Sequence, residues 1–122
     1  MKVHRTPESA ASDAGNQFFV GKVKVQEIVP SDEGLDIILV RFSAGARTYL
    51  HSHTVPQVLH CVEGRGILAT KGEQNLVEPG DIVHVPAGEK HWHGATADSH
   101  FVHLSVRPPG DKATWTKIDP LK

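Results

Sequence analysis

Gly45-Ala46-Arg47-Thr48-Tyr49-Leu50-His51-Ser52-His53-Thr54-Val55-Pro56-Gln57-Val58-Leu59-His60-Cys61-Val62-Glu63-Gly64 is the stretch that decides the fold. Between its glycines, Thr48 to His53 and Val58 to Glu63 read as two short strands separated by a turn at Pro56. Alternate side chains of a strand face the same way, so Tyr49, His51 and His53 share one face. Two imidazoles at i and i+2 can then meet at one metal ion. Gln57, four residues after His53, opens the next strand and offers an amide oxygen as a third ligand.

The same pattern continues in both directions. From Phe18 onward, short runs rich in Val, Ile, Leu and Phe alternate with Gly, Pro, Asp and Asn at intervals of roughly 8 to 12 residues, the spacing of a small β-sandwich or barrel. The expected strands are 18–29, 35–43, 48–53, 58–63, 66–71, 74–77, 82–85, 91–95 and 99–107, with 114–118 pairing at an edge. Turn signals such as Ser31-Asp32-Glu33-Gly34, Gly64-Arg65-Gly66 and Glu78-Pro79-Gly80-Asp81 separate them. No stretch of 12 or more residues holds a 3.6-residue period between such breakers, so the fold class is all-β, a single barrel domain over 17–122. Residues 1–16 are small and polar and read as a mobile N-terminal arm or an edge segment.

A chain of 122 residues with 39% hydrophobic and 22% charged residues suits one hydrophobic core and is too apolar for disorder. Thirteen basic against fourteen acidic residues give a net charge of -1 without a basic block, which argues against nucleic-acid binding. The longest aliphatic run, Ile37-Ile38-Leu39-Val40, is far short of the roughly 20 residues of a membrane-spanning helix. An amino terminus without an apolar stretch and a lone Cys61 lead us to expect the reducing cytoplasm. Out of line are nine histidines, eight of them between His51 and His103.

The second histidine-bearing segment runs Gly80-Asp81-Ile82-Val83-His84-Val85-Pro86-Ala87-Gly88-Glu89-Lys90-His91-Trp92-His93 and again presents imidazoles at i and i+2. His91 would complete a set of three imidazoles and one amide. Gly45, five residues, His51, one residue, His53, three residues, residue 57, six residues, Gly64 resembles the first cupin motif at every interval. Gly80, five residues, Pro86, one residue, Gly88, two residues, His91 resembles the second. This resemblance implies a jelly-roll barrel, a double-stranded β-helix. Gln57 stands where cupins usually carry glutamate, and Ala95 where they usually carry asparagine.

Further residues, Gly45 to Thr48, Pro86 to Ala95 and His103-Leu104, resemble the small manganese-dependent bacterial cupins with hydroxynitrile lyase activity. That resemblance implies His51, His53, Gln57 and His91 as metal ligands, His93 and His103 lining the cavity, and Thr48 near the substrate. It also implies manganese, with iron, zinc, nickel and cobalt as alternatives compatible with imidazole ligands. The expected reaction is cleavage of a small hydroxy compound such as a cyanohydrin, with the ion as Lewis acid and His103 as base. An Fe- or Mn-dependent dioxygenase and a non-catalytic small-molecule-binding module are the alternatives. Cupins of this size commonly pair through an outer sheet, so a homo-oligomer, dimer or tetramer, is expected by resemblance, with residues 18–42 as the contact. His60 and His84 have the opposite parity to the site and are read as structural, and Cys61 as a small buried hydrophobe.

Overall fold

The computed structural model describes residues 1–122. The strands are β1 (Ser12–Asp13), β2 (Phe19–Val20), β3 (Val23–Val29), β4 (Asp36–Phe42), β5 (Arg47–Thr48), β6 (His51–Ser52) and β7 (Gln57–Gly64). After these come β8 (Gly66–Ala69), β9 (Gln74–Val77), β10 (Ile82–Val85), β11 (Trp92–Ala95), β12 (Phe101–Arg107) and β13 (Thr114–Trp115). Single 3-10 turns at Glu8–Ala10 and Ser31–Glu33 are the only helical elements, and no helix is long and apolar enough to cross a membrane.

A six-stranded sheet in the order β1-β3-β4-β12-β7-β10 faces a five-stranded sheet in the order β2-β5-β11-β8-β9, and β13 pairs with β6 at the mouth between them. All pairings are antiparallel, giving the jelly-roll barrel that the strand spacing and the cupin resemblance imply. Two expected strands are each broken in two. The run 18–29 divides at Gly21, where φ is +88° and a Cβ would lie 2.9 Å from that of Ala46. Only glycine lets the chain turn that close to its neighbour. The run 48–53 divides at Tyr49-Leu50, so His51 belongs to β6 and His53 lies just beyond it.

At the other end of the chain's first segment, Ser12–Asp13 pair with Val25 and Lys24 of β3 as an edge strand. Before them, the carbonyls of Arg5 and Thr6 accept hydrogen bonds from Gln26 Nε2 (3.0 Å) and Arg41 Nη2 (2.7 Å).

The inward face of the six-stranded sheet changes character along its strands. On β12 the inward residues run Phe101, His103, Ser105, Arg107, and on β7 they run Cys61, Leu59, Gln57. Because the two strands are antiparallel neighbours, their apolar ends coincide and their polar ends coincide. Phe42, Leu59, Cys61, Leu68 and Phe101 pack the closed end as the main core. The polar end is therefore left to be a site. The register of β12 on β7 shifts between Val102 and His103, with Val62 as the extra residue of a bulge. Such a bulge re-aims the side chains that follow it.

Candidate metal centre

His51 on β6 and His91, just before β11, are locked together by their backbones. His51 N–H donates to the carbonyl of His91 (3.0 Å), and His91 N–H donates to that of His51 (2.9 Å). Their rings stand 4.3 Å apart between centroids. Each ring turns its Nδ1–H back onto the carbonyl two residues earlier, Tyr49 for His51 (2.8 Å) and Glu89 for His91 (2.9 Å). His53 donates from Nδ1 to Asp111 Oδ2 at 2.6 Å. With the proton fixed on Nδ1, all three imidazoles keep the Nε2 lone pair free, the form a metal ion needs.

Burial enforces the neutral state. Loss of solvent, reinforced by neighbouring imidazoles, pushes His51 down to about 2 and His91 down to about 4. His53 is lowered by the same desolvation, against the pull of Asp111.

Gln57 is buried and lines the same cavity as His51 and His53. Its Nε2 donates to Ser105 Oγ at 2.8 Å, which leaves Oε1 facing away from any donor. His53 Nε2, His91 Nε2 and Gln57 Oε1 are buried polar atoms with no hydrogen-bond partner. Such orphans are costly in a folded interior, and imidazole nitrogens and an amide oxygen are atoms a divalent cation could satisfy.

The nitrogen atoms that lie within 4.8 Å of one another are those of His51, His91 and His93, so three buried histidines able to hold a divalent metal are present, with His93 in that group and the expected ligand His53 outside it. His93 sits where the parity of His91 places it, inside the barrel. One of its nitrogens is engaged, since Nδ1 is 3.0 Å from Nε2 of His103. His103 is fully buried, and desolvation lowers it to about 3; His93 is lowered as well, by burial and then by the His103 ring. Thr48 Oγ1 accepts from the His93 backbone N–H (3.1 Å), leaving its hydroxyl hydrogen uncommitted. Thr48, His51, His53, Gln57, His93 and His103 surround a common cavity of about 70 Å³. A larger hollow of about 390 Å³ between Lys22, Lys24, Arg41 and Glu63 brings no such ligand set together.

His60 and His84 are exposed on the outer face and Cys61 is buried, with its thiol pushed up to about 11 by desolvation. All three stay outside the site.

The family described as "Cupin domain" matches residues 38–107. This chain is a cupin. It is 30% identical over 120 residues to the (R)-mandelonitrile lyase of Granulicella tundricola, covering 94% of this chain and 92% of that protein. Acireductone dioxygenase 1 of Nocardia farcinica is 34% identical over 107 residues, covering 83% of this chain, and the chain spans only 54% of that protein's length. Among solved structures, a cupin-like protein of Thermotoga maritima superposes with a TM-score of 0.83 at 32% identity, over 88% of this chain and 85% of that one. The cupin fold, the buried histidines and these enzyme relatives support a metal-dependent enzyme.

Several residues of this cupin's site carry no signal in the sequence pattern. Asp111, from the loop after β12, accepts from His53, from the Thr54 backbone (2.8 Å) and from Arg107 Nη1 (2.8 Å). Burial raises its carboxyl, but these donors outweigh it and hold Asp111 below the ordinary carboxylate range. Arg107 in turn reaches Asp36 on β4 through Nη2 at 2.9 Å. Trp115 on β13 lies flat on His51, 4.0 Å between centroids and 14° between planes. The parity of β12 puts Arg107 and Ser105 on the face of His103, which is a detectable hint; Asp111 and Trp115 arrive from irregular chain and had none.

Proposed function

We propose that this cupin is a metal-dependent lyase that cleaves a cyanohydrin or comparable hydroxy compound, with His51, His53, Gln57 and His91 holding one manganese ion. The observation that carries this reading is the trio of partnerless lone-pair atoms on His53, His91 and Gln57, set beside the hydrogen-bonded buried pair His93 and His103. Similarity to the Granulicella tundricola lyase along nearly the whole chain supports it.

When bound, a divalent ion supplies Lewis-acid polarisation of the substrate oxygen, and four neutral ligands leave its +2 charge undiminished. Thr48 orients the substrate by its uncommitted hydroxyl hydrogen. His103, kept neutral by burial, accepts the hydroxyl proton of the cyanohydrin. The C–C bond to the nitrile carbon breaks, its electron pair leaves with cyanide and a carbonyl compound forms. His93 gives a proton to cyanide and recovers one from His103 across their 3.0 Å hydrogen bond, so that both rings end neutral.

The reading is tested by adding mandelonitrile to chelator-treated and manganese-reloaded protein. Release of benzaldehyde and hydrogen cyanide only from the reloaded form is expected. Metal-independent release, or none in either form, contradicts it. Similarity to acireductone dioxygenase favours a second reading, an oxygenase. Consumption of dioxygen by the iron-loaded protein with an enediol substrate, in place of cyanohydrin cleavage, would select it.

A further inference from the structure

Four aromatic rings approach His51, and only one lies flat on it. The rings of His53, His91 and His93 meet it at 81°, 53° and 63°, whereas the Trp115 indole stacks at 14° with 4.0 Å between centroids. His51 Nδ1 is bonded to the Tyr49 carbonyl and Nε2 is kept for an ion, so the flat face is what remains for the protein to hold. The Trp115 side chain also forms part of the wall of the histidine cavity.

A strand of two residues is a slender support for that indole, and Trp115 pairs in it directly with His51. The chain that follows is fastened to residues 47–50. Thr116 gives its N–H (3.1 Å) and its hydroxyl (2.8 Å) to the Leu50 carbonyl, and the Leu50 N–H donates to the Ile118 carbonyl (3.2 Å). Asp119 then accepts two hydrogen bonds from Arg47, Nε to Oδ1 at 2.7 Å and Nη2 to Oδ2 at 2.6 Å, with both side chains only 14% exposed. A shielded two-point ion pair fixes direction as well as distance. Arg47 stands beside Thr48 in the first histidine-bearing segment but lines no part of the cavity, so holding this strap is the use the structure gives it.

The stack distinguishes an empty centre from a loaded one. An imidazole that donates its lone pair to a divalent ion becomes electron-poor, and the face of an indole, the best side-chain π surface for a cation, attracts positive charge within about 6 Å of its centroid. The contact is therefore stronger with the ion bound than without it. A contact that strengthens on binding adds to affinity.

We propose that Trp115 is a positioning residue of the metal centre: its indole face favours the ion-bound form of His51, and the Arg47–Asp119 pair holds it against the ring. This rests on the reading that His51 holds the ion, and not on the reaction performed there.

The test is calorimetric titration of chelator-treated protein with manganese chloride. Trp115→Leu keeps an apolar side chain without a π face and is expected to weaken binding by about tenfold. Trp115→Phe keeps a smaller π face and is expected to lose less, with the larger step falling between Phe and Leu; bulk alone would put the larger step between Trp and Phe. Asp119→Ala frees the strap from a position outside the cavity. It is expected to weaken binding in otherwise wild-type protein and to add nothing in the Trp115→Leu background, because its effect runs through the indole. Equal affinity of wild type and Trp115→Leu, or additive losses from Trp115→Leu and Asp119→Ala, overturns the proposal. Equal affinity of wild type, Trp115→Phe and Asp119→Ala overturns it even where Trp115→Leu does not fold. Failure of the metal reading gives a different result, in which wild type itself takes up no ion and both readings fall.

Discussion

Asp111 Oδ2 stands 2.6 Å from Nδ1 of His53, although the two residues are 58 positions apart. The carboxylate fixes the ring's proton on Nδ1 and its lone pair on Nε2, while Arg107 and the Thr54 amide fix the carboxylate. Asp111→Ala is therefore expected to weaken manganese binding by about 10- to 100-fold. Asp111→Asn, whose amide oxygen can still accept from Nδ1, is expected to lose less. Calorimetric titration of the chelator-treated protein reads both, and an unchanged affinity in Asp111→Ala would show that His53 needs no such partner.

The contact between His93 and His103 predicts the opposite split. His103→Ala removes the base without removing a ligand, so metal content is expected to stay at one ion per chain while kcat for mandelonitrile falls by about 10²- to 10⁴-fold. Elemental analysis beside steady-state kinetics checks this. Loss of the metal together with activity would place His103 among the groups that hold the ion.

With Gln57 as its oxygen donor, the proposed ligand set has no carboxylate. Gln57→Glu is expected to tighten metal binding, because a charged oxygen replaces an amide, and to lower kcat, because half the ion's charge is then offset. Titration and kinetics on the same preparation measure both. A variant that binds more tightly and turns over faster would contradict the role given to the neutral amide.

Acid stability follows from the depressed imidazoles. Above about pH 6.5, the histidines are neutral in folded and unfolded chains alike and contribute nothing. Below that value the unfolded chain takes up protons that His91, His103 and His51 refuse until about 4, 3 and 2. Stability of the metal-free protein is expected to decline from about pH 6.5 downward, by as much as about 1.4 kcal/mol per pH unit for each such histidine. Urea unfolding at pH 7.5, 6.0 and 5.0 tests it. A midpoint that does not move over this range would mean that the rings are protonated in the folded state.

How much of this is legible in the sequence depends on whether a residue's neighbours are local. His51, His53, Gln57 and His91 lie within two short motifs whose spacing is set by turns, and parity along one strand suffices to aim His93 and His103 inward. The breaks at Gly21 and at Tyr49-Leu50 are tertiary in origin; the first, at the close approach to Ala46, is marked in the sequence only by an isolated glycine, and nothing in the strand propensity of Tyr49-Leu50 signals the second. Asp36, Arg107 and Asp111 meet because β4 and β12 run in register and the loop after β12 folds back, with Asp36 opposite Arg107. Trp115 reaches His51 through a two-residue pairing. Partners brought together by register and loop closure leave no period to read.

The most direct test is the stoichiometry of manganese in chelator-treated, reloaded protein, wild type against His91→Ala, with mandelonitrile cleavage measured on the same samples. One ion per chain and cleavage in wild type, with both lost in His91→Ala, is the predicted result. Cleavage by protein free of bound metal, or an undiminished ion in His91→Ala, would contradict a metal centre built on His51, His53, Gln57 and His91.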